Sequence, residues 1–155
     1  MKMVRYWSVN NARWLRWVYR GLEACLVMAH PLLKRVGYQR LDSGVARIEK
    51  AVKGFLFDSQ SCGQCTLGET GMACPMNCPK TLRNGPCGGV RSNGHCEVDP
   101  DMVCVWVTSW QGSQRIGAPE ATIQVIQPPI DVRLKGSSAW LRAVKKRVGW
   151  IDDIR

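Results

Sequence analysis

The stretch that decides how this chain is built runs from Ser61 to Cys96: SCGQCTLGETGMACPMNCPKTLRNGPCGGVRSNGHC. Six of the chain's eight cysteines fall within it, spaced Cys62-x2-Cys65-x8-Cys74-x3-Cys78-x8-Cys87-x8-Cys96. Between them stand Gly68, Gly71, Pro75, Pro79, Asn84-Gly85-Pro86, Gly88-Gly89 and Asn93-Gly94, so the stretch reads as loops and tight turns. Almost none of its residues are of the kind that build an apolar core. Its thiols must be tied by disulfides, by zinc or by an iron–sulfur cluster.

The even cysteine count permits a disulfide framework. Three features oppose it: the length of 155 residues, the lack of a clear export signal, and a CxxC pair with metal-binding spacing. Zinc asks for four ligands in a tetrahedron, typically two CxxC knuckles or cysteine with histidine. Only Cys62/Cys65 form a CxxC; the wider Cys74-x3-Cys78, or His95 with Cys96, would have to supply the second knuckle. His95 reads more simply as a polar loop residue. Iron–sulfur clusters take cysteine thiolates, often with proline directly after one of them. Cys74-Pro75 and Cys78-Pro79 have that form. Abundant glycine also lets backbone N–H groups approach the sulfurs. The residues point to a metal-holding module and lean to iron–sulfur, with zinc as the alternative. Cys104, in MVCVWV, is either a further ligand or a buried thiol.

Outward from this module, the charge changes. The chain carries a net +10, but residues 1–61 hold 11 Lys/Arg against 4 Asp/Glu, residues 62–104 hold 3 against 4, and residues 105–155 hold 8 against 4. A zinc ribbon that gripped phosphate would carry its basic residues on the ribbon itself, so nucleic acid is an unlikely partner. The longest apolar run, Leu22–Ala29, is too short for a membrane span and contains Glu23. A cytoplasmic protein is expected.

The flanks read as helices. Asn10 and Asn11 can cap one that starts near Ala12 and ends before His30-Pro31. On it Trp14, Trp17, Val18, Cys25 and Met28 recur at helical spacing and read as the inward face, with Cys25 a buried thiol; exposed instead, they would suit docking to a partner or an anionic surface. Leu32–Val36 forms a short helix closed by Gly37. Asp42 or Ser43 then caps a helix to about Phe55, with Val45, Ile48, Val52 and Leu56 on one side. Asp101–Trp110 fits strand by propensity and helix by spacing, and helix is favoured. Residues 121–127 (ATIQVIQ) alternate like a short strand. Ser137 or Ser138 caps a last helix that packs Trp140, Leu141, Val144 and Val148 inward. The expected class is a small α-rich domain, α+β at most, with short helices around a metal-organised loop region. Residues 1–40 form a basic amphipathic helical extension and residues 41–155 the cysteine-rich domain.

The runs CGQC, CPMNCPKTLRNGPCGGVRSNGHCEV and MVCVWV, with the tail QPPIDVRLKGSSAWL at 127–141, resemble the C-terminal domain of methylenetetrahydrofolate reductases. That domain also occurs as a separate small subunit of two-subunit bacterial reductases. The resemblance covers about residues 45–141. It implies an iron–sulfur cluster, of the [4Fe-4S] type, with Cys62, Cys65, Cys74, Cys78, Cys87 and Cys96 as ligand candidates. It also implies a TIM-barrel reductase partner that carries the flavin and folate sites, with further electron-transfer or methyltransferase proteins beyond it. The family often has a cysteine just before the first pair, whereas residues 58–61 (DSQS) have none. The chain itself has no phosphate-loop or Rossmann glycine pattern and is too short for a barrel of roughly 250 residues. Catalytic and flavin-binding residues are therefore expected on the partner, leaving this chain an electron-relaying or structural subunit in one-carbon metabolism; as a zinc module, it would be a non-catalytic interaction piece of such a complex.

Overall fold

The computed structural model describes residues 2–117, Ile123 and residues 126–150. Among these, six α-helices carry the fold: α1 (Lys2–Asn10), α2 (Ala12–Met28), α3 (His30–Val36), α4 (Tyr38–Phe57), α5 (Val105–Ile116) and α6 (Ala139–Arg147). The only β pairing among the described residues is an isolated antiparallel bridge between His95 and Val103. The strand expected at 121–127 falls mostly outside the described residues.

Helix α1 lies ahead of Ala12, where the first helix was expected to start. Asn11 is a joint rather than a cap: its N–H bonds the Trp7 carbonyl and its own carbonyl accepts from Leu15 N–H, both at 3.0 Å. Its side-chain amide also donates to Trp7 O, so α1 and α2 run on almost continuously. Pro31 sits in the first turn of α3, where a missing N–H costs nothing. Gly37, at φ +97°, turns the chain into α4.

That helix begins at Tyr38, upstream of the expected caps Asp42 and Ser43. Asp42 serves a different helix, accepting from Ser138 N–H at 3.2 Å. Ser138 in turn caps α6, its hydroxyl accepting from Leu141 N–H at 3.2 Å. Leu141 and Val144 of α6 bury against Tyr38, with Leu26, Val27, Leu33, Leu41 and Val45 around them. Ser138→Ala will cost roughly 1–2 kcal/mol, the usual worth of a cap. Urea unfolding should show a lower midpoint at unchanged slope.

Helix α2 presents the opposite face from that expected, and α4 does so in part: of its expected side, Val45 and Leu56 pack against the cores but Ile48 and Val52 do not. On α2 the residues turned inward are Ala12, Leu15 and Tyr19, which pack with Phe57, Leu67, Met72 and Cys74. Trp14, Trp17, Val18 and Met28 are exposed, at 57%, 74%, 40% and 72%, and Cys25 is exposed rather than buried. On α4 Ile48, Val52 and Phe55 face solvent, while Glu49 and Lys53 are buried. Both reversals have one physical reason. The inner sides of these helices pack closely and satisfy polar groups, which small, aromatic-hydroxyl and paired charged residues do better than large aliphatics.

Helix α5 shows the same preference. It starts at Val105, with Cys104 in the cap position, and Val103 keeps the extended backbone of its bridge. Its buried face is Val105, Trp106, Thr108, Ser109, Gly112 and Ser113. Trp110, outside that face, is 48% exposed.

Candidate functional site

The start of the cysteine stretch is pinned by contacts with the tail. Gly63, at φ +75°, lies under the Leu134 carbonyl, where any Cβ would collide. Gly136 N–H bonds Ser61 O at 3.0 Å, and Asp131 N–H bonds the Gln64 side-chain oxygen at 2.8 Å. The CGQC segment is therefore clamped by the tail that includes 131–136. On the other side, residues 66–73 fold as a tight turn, with Met72 N–H on Leu67 O and Thr70 Oγ1 donating to Ala73 O at 2.6 Å.

Of the six candidate thiols, Cys62, Cys65 and Cys74 line one enclosed cavity with Glu49, Lys53, Gly63 and Met76. Cys74 is buried, and burial pushes its thiol pKa up; nearby Cys65 and Cys62 add to this, against the backbone N–H groups of Gln60 and Met76. Cys65 receives two donors of its own. The Tyr19 hydroxyl on α2 donates to its sulfur at 3.7 Å, and the Lys53 ammonium on α4 lies within reach of it. Burial opposes the charge on Lys53, but Cys65 and Glu49 outweigh it and raise the lysine pKa. The Tyr19 phenol is raised too, by burial first and then by Cys65.

The second group lies across the short 3-10 turn Pro75–Asn77. Cys78 packs against Cys96, Met102 and Val105. Cys96 accepts from Val98 N–H at 3.4 Å. Cys87 is exposed, accepts from Gly89 N–H at 3.4 Å and donates to Glu97, which is paired with Lys80. His95 Nδ1 bonds the Pro100 carbonyl at 2.7 Å, in keeping with a polar loop role. Cys104 is buried at the start of α5.

Among the described residues, no three His, Cys, Asp or Glu side chains converge closely enough to hold a metal ion. Cys62, Cys65 and Cys74 share one cavity and Cys78 packs with Cys96, without a finished ligand shell among the described residues. The donor set still suits a thiolate-bound centre: sulfur ligands, N–H groups directed at Cys74, Cys87 and Cys96, and cations near Cys65 and Cys87. Sequence reasoning missed Tyr19, Glu49 and Lys53. Glu49 and Lys53 are spaced i,i+4 and read like an exposed helix pair, and nothing in the linear pattern signals their burial.

The profile of the family described as Methylene-tetrahydrofolate reductase C terminal matches residues 38–133. That span runs from the start of α4 to the short turn Val132–Leu134 and contains all the candidate thiols. No curated protein and no solved structure matches the chain. No helix among the described residues is long and apolar enough to cross a membrane.

Proposed function

The chain belongs to the methylene-tetrahydrofolate reductase C-terminal family, and from that membership we propose that it is the accessory iron–sulfur subunit of such a reductase. The observation that carries this reading is the family match over the whole cysteine stretch, joined to sulfur-directed N–H groups and cations at Cys65, Cys74, Cys87 and Cys96. Cys62, Cys65 and Cys74 form one half of the donor set, and Cys78, Cys87 and Cys96 the other.

An iron–sulfur cluster bound here supplies single-electron transfer. The chain's own residues hold and tune the thiolates. Tyr19 and Lys53 place a hydroxyl and an ammonium against Cys65. Leu67, Met72 and Phe57 keep water from the Cys74 side. The reduction of methylenetetrahydrofolate to methyltetrahydrofolate belongs to a flavin-bearing TIM-barrel partner, and cytoplasmic one-carbon metabolism is the setting.

Anaerobic purification followed by metal and sulfide analysis tests this. Iron with matching acid-labile sulfide, and a broad visible absorption that bleaches on reduction, is the expected result. Stoichiometric zinc without sulfide would replace the electron relay with a zinc-stabilised interaction module. Cys65→Ser and Cys96→Ser should each lower iron content, the first by acting on the α2–α4 side and the second on the α5 side.

A further inference from the structure

Lys53 lines the cavity shared by Cys62, Cys65 and Cys74, and it is 3% exposed. Lysine is almost never buried unless it is paired, and here the partner is Glu49, at 2.6 Å. For the fold alone, a buried ion pair ordinarily offers little over two well-packed apolar side chains. What sets this pair apart is what stands around each of its members.

Both oxygens of Glu49 are occupied by donors. One takes Lys53, and the other accepts from Ser138 Oγ at 2.8 Å and Trp140 N–H at 3.1 Å. The carboxylate therefore shares its charge with the first turn of α6, at the positive end of that helix. The ammonium has no second carboxylate. Its other neighbours are the ring of Tyr19 at 5.3 Å, the ring of Trp140 at 5.1 Å and the Cys65 sulfur. Tyr19 donates its hydroxyl to the same sulfur at 3.7 Å. Of the ion pair, the ammonium is thus the member set against the thiol. Lys80, the cation beside Cys87, is placed differently: it is 42% exposed and paired with Glu97, where water and salt screen it. A buried charge is screened far less.

Resting on the iron–sulfur reading above, we infer that Lys53 is a positioning residue for electron transfer, which acts through Cys65 to raise the reduction potential of the centre while Glu49 holds the ammonium in place. One electron gained among these thiolates adds one negative charge, and a fixed ammonium at one of the sulfurs favours that reduced form. No bond to Lys53 forms or breaks in the process. Its contribution is a field, set by where the fold keeps it.

The test is potentiometric, on the full chain purified anaerobically with its iron and sulfide. Dithionite titration with mediator dyes reads the midpoint from the bleaching of the visible band. A background without the carboxylate isolates the ammonium. There, Glu49→Leu/Lys53→Met should titrate at least about 59 mV below Glu49→Leu, a tenfold change in a one-electron equilibrium. Added salt should leave that gap unchanged. Tyr19→Phe removes a donor but no charge and should lower the midpoint by less. If Glu49→Leu does not fold, Lys53→Arg against Lys53→Gln makes the same comparison: arginine keeps the wild-type midpoint and glutamine falls below it by the same margin. Equal midpoints with and without the cation, at equal iron and sulfide content, overturn this role for Lys53 and leave the iron–sulfur reading standing. A wild-type chain that holds zinc, or neither iron nor sulfide, overturns both together.

Discussion

Glu49→Leu will lower the unfolding free energy by roughly 3–5 kcal/mol, the cost of breaking a buried ion pair from one side. The carboxylate is used twice over. One oxygen holds Lys53 Nζ at 2.6 Å; the other accepts from Ser138 Oγ at 2.8 Å and from Trp140 N–H at 3.1 Å. The latter two lie in the first turn of α6, where a negative charge also meets the helix dipole. Removing Glu49 therefore strands a buried ammonium and leaves an N–H without its partner. Lys53 is 3% exposed, and its remaining neighbours are the rings of Tyr19 and Trp140 and the Cys65 sulfur. Adding Lys53→Met to Glu49→Leu should recover part of the loss, because the orphaned charge goes with it. The pH dependence has a definite sign. The folded-state pKa of Lys53 is raised, so its contribution is complete below the unfolded lysine value, about 10.4, and is lost as pH rises through the folded value. Urea titrations of wild type and the Glu49→Leu/Lys53→Met double variant, which has no ammonium to titrate there, should differ by a constant amount from neutral pH to about pH 10 and converge above it. A difference already shrinking at pH 8 would mean that Lys53 is not held as an ammonium.

This pair also shows what the linear pattern could and could not reveal. The cysteine spacing, the Cys-Pro steps and the turn residues were readable because they are local: proline and glycine fix backbone wherever they stand. So were the start of α2, the Ser138 cap and the helix beyond Asp101. The facing of α2 and α4 was not readable. Hydrophobic periodicity assumes that the apolar stripe turns inward, and here Trp14, Trp17, Ile48 and Phe55 face out while Glu49 and Lys53 face in. The rule fails where a helix buries charges that satisfy each other and leaves large apolar residues outside. The buried face of α5 escaped for a related reason. Its inner residues Ser109, Gly112 and Ser113 are small, chosen for close approach, and a hydrophobic count does not register them.

That close approach yields the second large effect. Gly112→Ala will destabilise the protein by about 2–3 kcal/mol, although alanine in a helix ordinarily gains close to 1 kcal/mol over glycine. A Cβ at 112 would be driven into the Gly71 carbonyl, and one at 71 into the Ser109 carbonyl, so backbone meets backbone with no side chain able to give way. Gly71 also sits at φ +59°, next to Met72 at φ +63°, in the turn tied to α5 by Ser109 Oγ on Thr70 O at 2.7 Å. The strain passes to the thiols because Met72, Ala73 and Cys74 follow directly, and the turn must lift from α5 to admit the methyl group. Cys74 should then become more than about tenfold faster to alkylate, the factor that corresponds to 1.4 kcal/mol of easier local opening. Gly44→Ala, on the exposed side of α4 with nothing within 4 Å of the new Cβ, is the matched control and should stabilise by about 0.5–1 kcal/mol. Mass-spectrometric alkylation of both variants separates the two outcomes. If Gly112→Ala unfolds more easily but Cys74 stays as protected as in the control, the turn and the thiol cavity are independent, and the Gly71–Gly112 contact serves the helix packing alone.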